Sequence, residues 1–161
     1  MGLIDDRLAA LGIVLPAPTL VPPGAVLPFA FVHVQGARVL VSGHGPVDQE
    51  GRICGPFGKV GAEVTADQAC AAARATGLAI LADLKLALGS LDRIASWGRL
   101  FGMVNCAPGF TAMPAVINGC SDLLLAVFGP QAGAHARSAI GVAELPWNIP
   151  VEIEGELLLR D

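Results

Sequence analysis

Tyrosine is missing from these 161 residues, and lysine occurs only at Lys59 and Lys85. No phenol is therefore available as an acid, a base or a stacking platform. Ten Lys+Arg against fourteen Asp+Glu leave a net charge of −4 and a pI near 5.2. That balance argues against a nucleic-acid groove, which needs clustered cations. Charged residues make up 15% of the chain, against a usual share of about 25%. Apolar residues reach 53%, yet no stretch attains the roughly 18–20 uninterrupted residues of a membrane span. The first residues, MGLIDDRLAAL, place Asp5 and Asp6 where a secretory signal carries basic residues. The expected location is the cytoplasm, with neither membrane nor nucleic acid as partner. Cys54, Cys70, Cys106 and Cys120 form no C-x-x-C and share no zinc spacing with histidine. They read as reduced, mostly buried thiols, and no site for a metal or organic cofactor is visible. A chain this apolar is expected to hide surface in an oligomer.

Leu3, Ile4, Leu8 and Leu11 share one side of a short helix predicted over 3–12. Pro16, Pro18, Pro22 and Pro23 then form an extended lead-in. Residues 29–34 and 38–42 read as strands around a Gln35-Gly36 turn, and the Gly-rich tract 43–64 reads as loop. Thr65 with Gln68 is a capping-box pair. It opens an Ala/Leu-rich helix to about Ala87, stopped by Gly89, whose wide alanine face suits close packing on a sheet. A strand covers at least 99–105 and is broken by Ala107-Pro108-Gly109. A second long helix spans about Ala112 to Phe128. Pro114 is tolerated there because first-turn N–H groups have no intrahelical partner. Gly129-Pro130 ends that helix. The predicted order is ββ, α, β, α, ββ: an α+β sandwich with one mixed sheet and two helices. It forms one domain over 1–161, with a helix and lead-in at 1–27 and a core at 28–161.

The run 136–156, ARSAIGVAELPWNIPVEIEGE, carries the most chemistry. Two alternating apolar segments flank Leu145-Pro146, which predicts a strand–turn–strand hairpin. Arg137 opens the first segment and Glu152 the second, so one cation and one carboxylate would sit on adjacent strands. Glu152, Glu154 and Glu156 share one face by the period-two rule.

Together with LVSGHGPVD at 40–48 and LFGMVNCAPGFTAMPAVING at 100–119, the C-terminal motif resembles the RidA/YjgF family of imine deaminases. The likeness covers most of the chain from about residue 28. It implies a chorismate-mutase-like (YjgF-like) fold and a homotrimer with clefts between subunits. By the same likeness, Arg137 clamps a substrate carboxylate and Glu152 positions the attacking water. Asn118 forms a site wall, and the Ser42-Gly43 backbone lines the pocket. Phe29 stands where the deaminases usually have tyrosine, Ala139 where active members often have cysteine, and His44 where glutamine is common. Phe29 and Ala139 read as pocket lining. His44 reads as a surface-loop histidine, and His33 and His135 as structural or exposed.

Arginine offers a planar donor fork that matches a carboxylate and stays charged. A 2-imino acid carries a carboxylate beside its electrophilic C=N carbon, so Arg137 would place that carbon beside Glu152, a general acid–base group. The products would be a 2-keto acid and ammonia, with no cofactor required. A non-catalytic trimer that senses small carboxylates is the alternative, favoured by the thinner polar lining at Phe29 and Ala139. Ribonuclease activity is a third reading, opposed by the acidic charge, and chorismate-mutase chemistry rests on fold analogy alone.

Overall fold

Residues 2–21 and 23–160 are described by a computed structural model. In chain order the elements are α1 (Leu3–Ala10), β1 (Val32–Gln35), β2 (Arg38–His44), α2 (Ala66–Leu88), β3 (Ile94–Asn105), α3 (Met113–Ala132), β4 (Ala136–Val142) and β5 (Val151–Leu159). The strands form one mixed five-stranded sheet in the order β1-β2-β5-β3-β4. Only the β3–β4 pair is parallel. Both long helices lie against the same face of this sheet. The core between them includes Leu81, Leu84, Ile117, Leu123 and Leu124 from the helices and Leu100, Val104, Ile153 and Leu157 from the strands.

The long helices arise as their end signals predict. Thr65 accepts from the Gln68 backbone N–H while the Gln68 side chain accepts from the Thr65 N–H, a complete capping box. Gly89 closes α2 in the left-handed region. In α3, Gly129 (φ 79°, ψ 173°) breaks the helical path, and one further turn reaches Ala132. The alanine face of α2 packs on α3 as well as on the sheet. The two helices meet at Gly77 and Gly119, where a Gly119 Cβ would collide with the Cys70 carbonyl oxygen. Glycine is needed there for close backbone approach.

Several expectations change. The first strand is shorter, starting at Val32, and β2 extends through His44 into the tract expected to be loop. In α1 only Leu8 is buried, while Leu3 and Leu11 face solvent. Of the cysteines, Cys120 alone is buried; Cys54, Cys70 and Cys106 are half-buried, and all four are free thiols. Pro22 lies outside the described residues.

The largest correction concerns the C-terminal hairpin. β4 and β5 do not pair; β3 lies between them. The helix α3 returns the chain to the start of β3, so β4 runs parallel beside it, as a βαβ unit requires. β5 then inserts between β2 and β3. Val151, Ile153, Leu157 and Leu159 bury one side of β5, whereas no residue of β4 is fully buried. The strand with the most to bury takes the centre, and the small, glycine-containing strand takes the edge.

Candidate active site

Arg137 pairs with Leu100 across β3–β4 and therefore points to the helix-covered face. There its Nη1 donates to Asn118 Oδ1 (2.8 Å) and Ser121 Oγ (3.0 Å), and its Nη2 donates to the Pro114 carbonyl (3.2 Å). Asn118 and Ser121 are three residues apart, so they share one face of α3. His135 supports this arrangement from behind: Nδ1–H donates to the Gly133 carbonyl (2.7 Å), and Nε2 lies 2.9 Å from Ser121 Oγ. A guanidinium carries five N–H donors, and these three bonds leave Nε–H and one Nη2 proton for a ligand. Beneath it, burial pushes the Cys120 thiol up to about 12, with Arg137 pulling the other way, so this thiol stays protonated. Ala139 follows on the same side of β4, opposite Gly102, and is partly buried against the core.

Glu152 pairs with Met103, and its neighbours Val151 and Ile153 are fully buried toward the helices. Its side chain therefore lies on the opposite, helix-free face. Burial raises its carboxyl above the ordinary range, the nearby Glu154 adds to this, and His44 opposes it. The Glu152 carboxylate fills the space over Gly43, where a Cβ would collide with Oε1. Gly43 sits in a bulge of β2, where the pairing with β5 slips between Val41 and His44. Ser42 anchors the bulge, donating from its hydroxyl to the Ala30 carbonyl (2.7 Å) and from its N–H to the Phe31 carbonyl (2.9 Å). A cleft of about 290 Å³ opens on this face beside Ser42, walled by Leu40, Arg99, Phe101, Glu154 and Glu156. Phe29 is exposed and meets Phe31 edge-on at 6.1 Å.

The fold thus makes two clusters: Arg137 with Asn118, and Glu152 with Ser42 and Gly43. Within one chain they lie on opposite faces of the sheet, contrary to the single hairpin expected to carry both charges. His44 is also not a surface residue. It is buried at 2% exposure, and its Nε2 lies 2.9 Å from the Asp83 carboxylate. Sequence reasoning missed Ser121, Asp83 and Thr19 as supports, while His135, read as structural or exposed, takes a structural role. The spacing of Asn118 and Ser121 on one helical face was a usable signal; no spacing links His44 to Asp83, 39 positions away.

Comparison with known proteins places this geometry. Residues 5–152 match the family described as "YjgF/chorismate_mutase-like, putative endoribonuclease". The chain is a YjgF-family protein. Protein TCP17 of Trypanosoma cruzi is 39% identical over 160 residues, covering 99% of this chain and 96% of TCP17. The solved structure of Atu1372 from Agrobacterium tumefaciens, of unknown function, superposes with a TM-score of 0.86 at 35% identity, covering 98% of this chain and 92% of that one. A Shewanella oneidensis structure bearing the same endoribonuclease designation reaches 0.88 at 31% identity, covering 98% and 100%. This YjgF-family chain therefore shares its fold with relatives over nearly its whole length.

Proposed function

We propose that this protein hydrolyses small 2-imino or enamine acids to 2-keto acids and ammonia, without a cofactor, as a homotrimer. The observation that carries the reading is the Arg137 guanidinium, held by three hydrogen bonds from one side with a donor edge left open. Such an edge suits a carboxylate bidentately. Water adds to the C=N carbon while Glu152 accepts its proton. The nitrogen takes that proton to give a carbinolamine; Glu152 then accepts the hydroxyl proton and passes it to the nitrogen as the C–N bond breaks, leaving a C=O and ammonia. Glu152, with its carboxyl raised by burial, suits a group that both takes and returns a proton.

Because Arg137 and Glu152 occupy opposite faces, the complete site combines the Arg137 cluster of one copy with the Glu152 cluster of another. The helix-free face supports such an assembly: Ile140 (40% exposed) and Leu158 (47% exposed) lie there uncovered. The test is the decay of iminopyruvate generated in situ. Wild type should exceed buffer, and Arg137→Ala should lose about 2 kcal/mol or more of transition-state stabilisation, roughly 30-fold in kcat/KM. Decay no faster than buffer, or indifferent to Arg137→Ala, defeats the reading.

Two other readings have specific support. Phe29 and Ala139 lack the hydroxyl and thiol of the active deaminases, which favours a carboxylate sensor; stabilisation by a keto acid without turnover would establish it. The designation of the relatives favours ribonuclease action, but the net charge of −4 opposes it. RNA cleavage that survives Arg137→Ala combined with Glu152→Ala would mark a contaminant.

A further inference from the structure

A chain of hydrogen bonds runs from the proline-rich lead-in to the floor of the Glu152 cluster. The lead-in is itself anchored: Ala17 N–H donates to the Gln49 carbonyl (2.9 Å) and Leu20 N–H to the Gly51 carbonyl (2.8 Å). Between these points the Thr19 N–H donates to Asp83 Oδ1 (3.1 Å). The other carboxylate oxygen, Asp83 Oδ2, meets His44 Nε2 at 2.9 Å, and His44 Nδ1 meets the Ser42 carbonyl at 2.6 Å. Ser42 begins the bulge whose Gly43 faces Glu152.

The direction of each bond follows from its partners. A carbonyl oxygen only accepts, so His44 Nδ1 carries a proton. Asp83 already accepts a backbone N–H at Oδ1, which favours its charged form. Burial works against that charge, but the bonds from His44 and Thr19 outweigh it and hold the Asp83 carboxyl below its usual range. With a carboxylate at Nε2, the imidazole donates from both nitrogens and is a cation. The side chains of His44 and Asp83 are 0% and 6% exposed, and a buried charge persists only when paired and hydrogen-bonded. Both conditions hold here. The groups facing His44 are Asp83 from α2 and the Phe31 ring at 5.1 Å from before β1, and across the sheet His44 pairs with Ile153, the chain neighbour of Glu152 on β5.

We infer that His44 is a positioning residue: an imidazolium, paired with Asp83 and locked through Thr19, that holds the Ser42–Gly43 bulge and its positive charge beside Glu152. The part concerning catalysis rests on the imine-hydrolase reading. The electrostatic part does not. A carboxylate at Glu152 is favoured by a nearby cation, so removing that cation must raise the Glu152 titration midpoint.

The experiment compares wild type, His44→Gln, Asp83→Asn and Thr19→Pro as full-length proteins. In wild type, ¹⁵N spectra of labelled histidine should show one imidazole, absent from His44→Gln, protonated on both nitrogens. Carbon-detected titration should show the Glu152 midpoint higher in His44→Gln and Asp83→Asn, and higher by less in Thr19→Pro. A singly protonated His44 at pH 7, or a Glu152 midpoint unmoved in both His44→Gln and Asp83→Asn, overturns the inference. An unmoved midpoint in Thr19→Pro alone overturns the lock through the lead-in. With iminopyruvate as substrate, His44→Gln should lower kcat about tenfold, leave KM within about twofold, and move the acid limb of the kcat profile to higher pH. If no imine turns over, the hydrolase reading fails while the two spectroscopic outcomes still decide the fate of His44.

Discussion

Arg137 and Glu152 carry opposite charges, and the fold treats them differently. Arg137 sits in a ring of oxygen acceptors, whereas Glu152 is half-buried beside Glu154 with its charged form disfavoured. A carboxyl whose folded midpoint exceeds its unfolded one binds more protons in the native state between the two values. Stability is then fully present below the ordinary value of 4.5 and declines as pH rises through the folded midpoint. Glu152→Gln removes this penalty. Its melting temperature should exceed wild type at pH 8 and match it at pH 4, as read by calorimetry across that range. At Arg137, lysine cannot replace the planar fork. Arg137→Lys should recover only a small part of what Arg137→Ala loses in the iminopyruvate assay. Gly43→Ala forces the flexible end of Glu152 aside without touching the core. Its melting temperature should stay within a few degrees of wild type while turnover falls on the order of 10²-fold, the typical effect of misplacing a reacting group.

At the scale of elements, α2 and its crossing with α3 were the most legible parts. The Thr65–Gln68 box lies within four residues, so its signal is local and the structure reproduces it. Thr65→Ala should cost about 1 kcal/mol, measured by urea denaturation. Gly119 is different, because its role depends on the other helix. An alanine there meets backbone, the Cys70 carbonyl, rather than a flexible side chain. Gly119→Ala should cost about 3 kcal/mol or force the helices apart, and the same urea series measures it. Nothing in the stretch around Gly119 announces this contact. The hairpin failed as an expectation for a related reason: alternation identified both strands, but not their neighbours. Pairing was decided by α3, which turns β4 parallel to β3, and by the competition of β5 for the sheet centre.

The whole molecule presents a sheet with one face covered by helices and the other open. An open face carrying Leu158 and Ile140 beside Arg99, Glu154 and Glu156 is the surface on which the proposed trimer would close. Light scattering should give three times the 16.4 kDa chain mass. Leu158→Glu should release monomers that keep their helical circular dichroism, because Leu158 is exposed and outside the core. Loss of imine turnover in that folded monomer would be the signature of a site shared between copies. The helix α1 docks on the helical side, where Lys85 pairs with Asp5 at 2.7 Å and Arg7 donates to the Ala126 carbonyl at 2.9 Å.

By itself, the sequence determined what is local or periodic: the capped helices, the alternation that puts Glu152 opposite Ile153, the breaks at glycine and proline, and the motif residues of a YjgF-family chain. Tertiary structure alone decided which strands became neighbours, which face each charged group took, and that His44 would be buried against Asp83. Those outcomes join residues far apart in the chain, such as Leu100 with Arg137 and His44 with Asp83, through burial and hydrogen-bond satisfaction. Such terms depend on every packed element at once and leave no mark at fixed spacing along the chain.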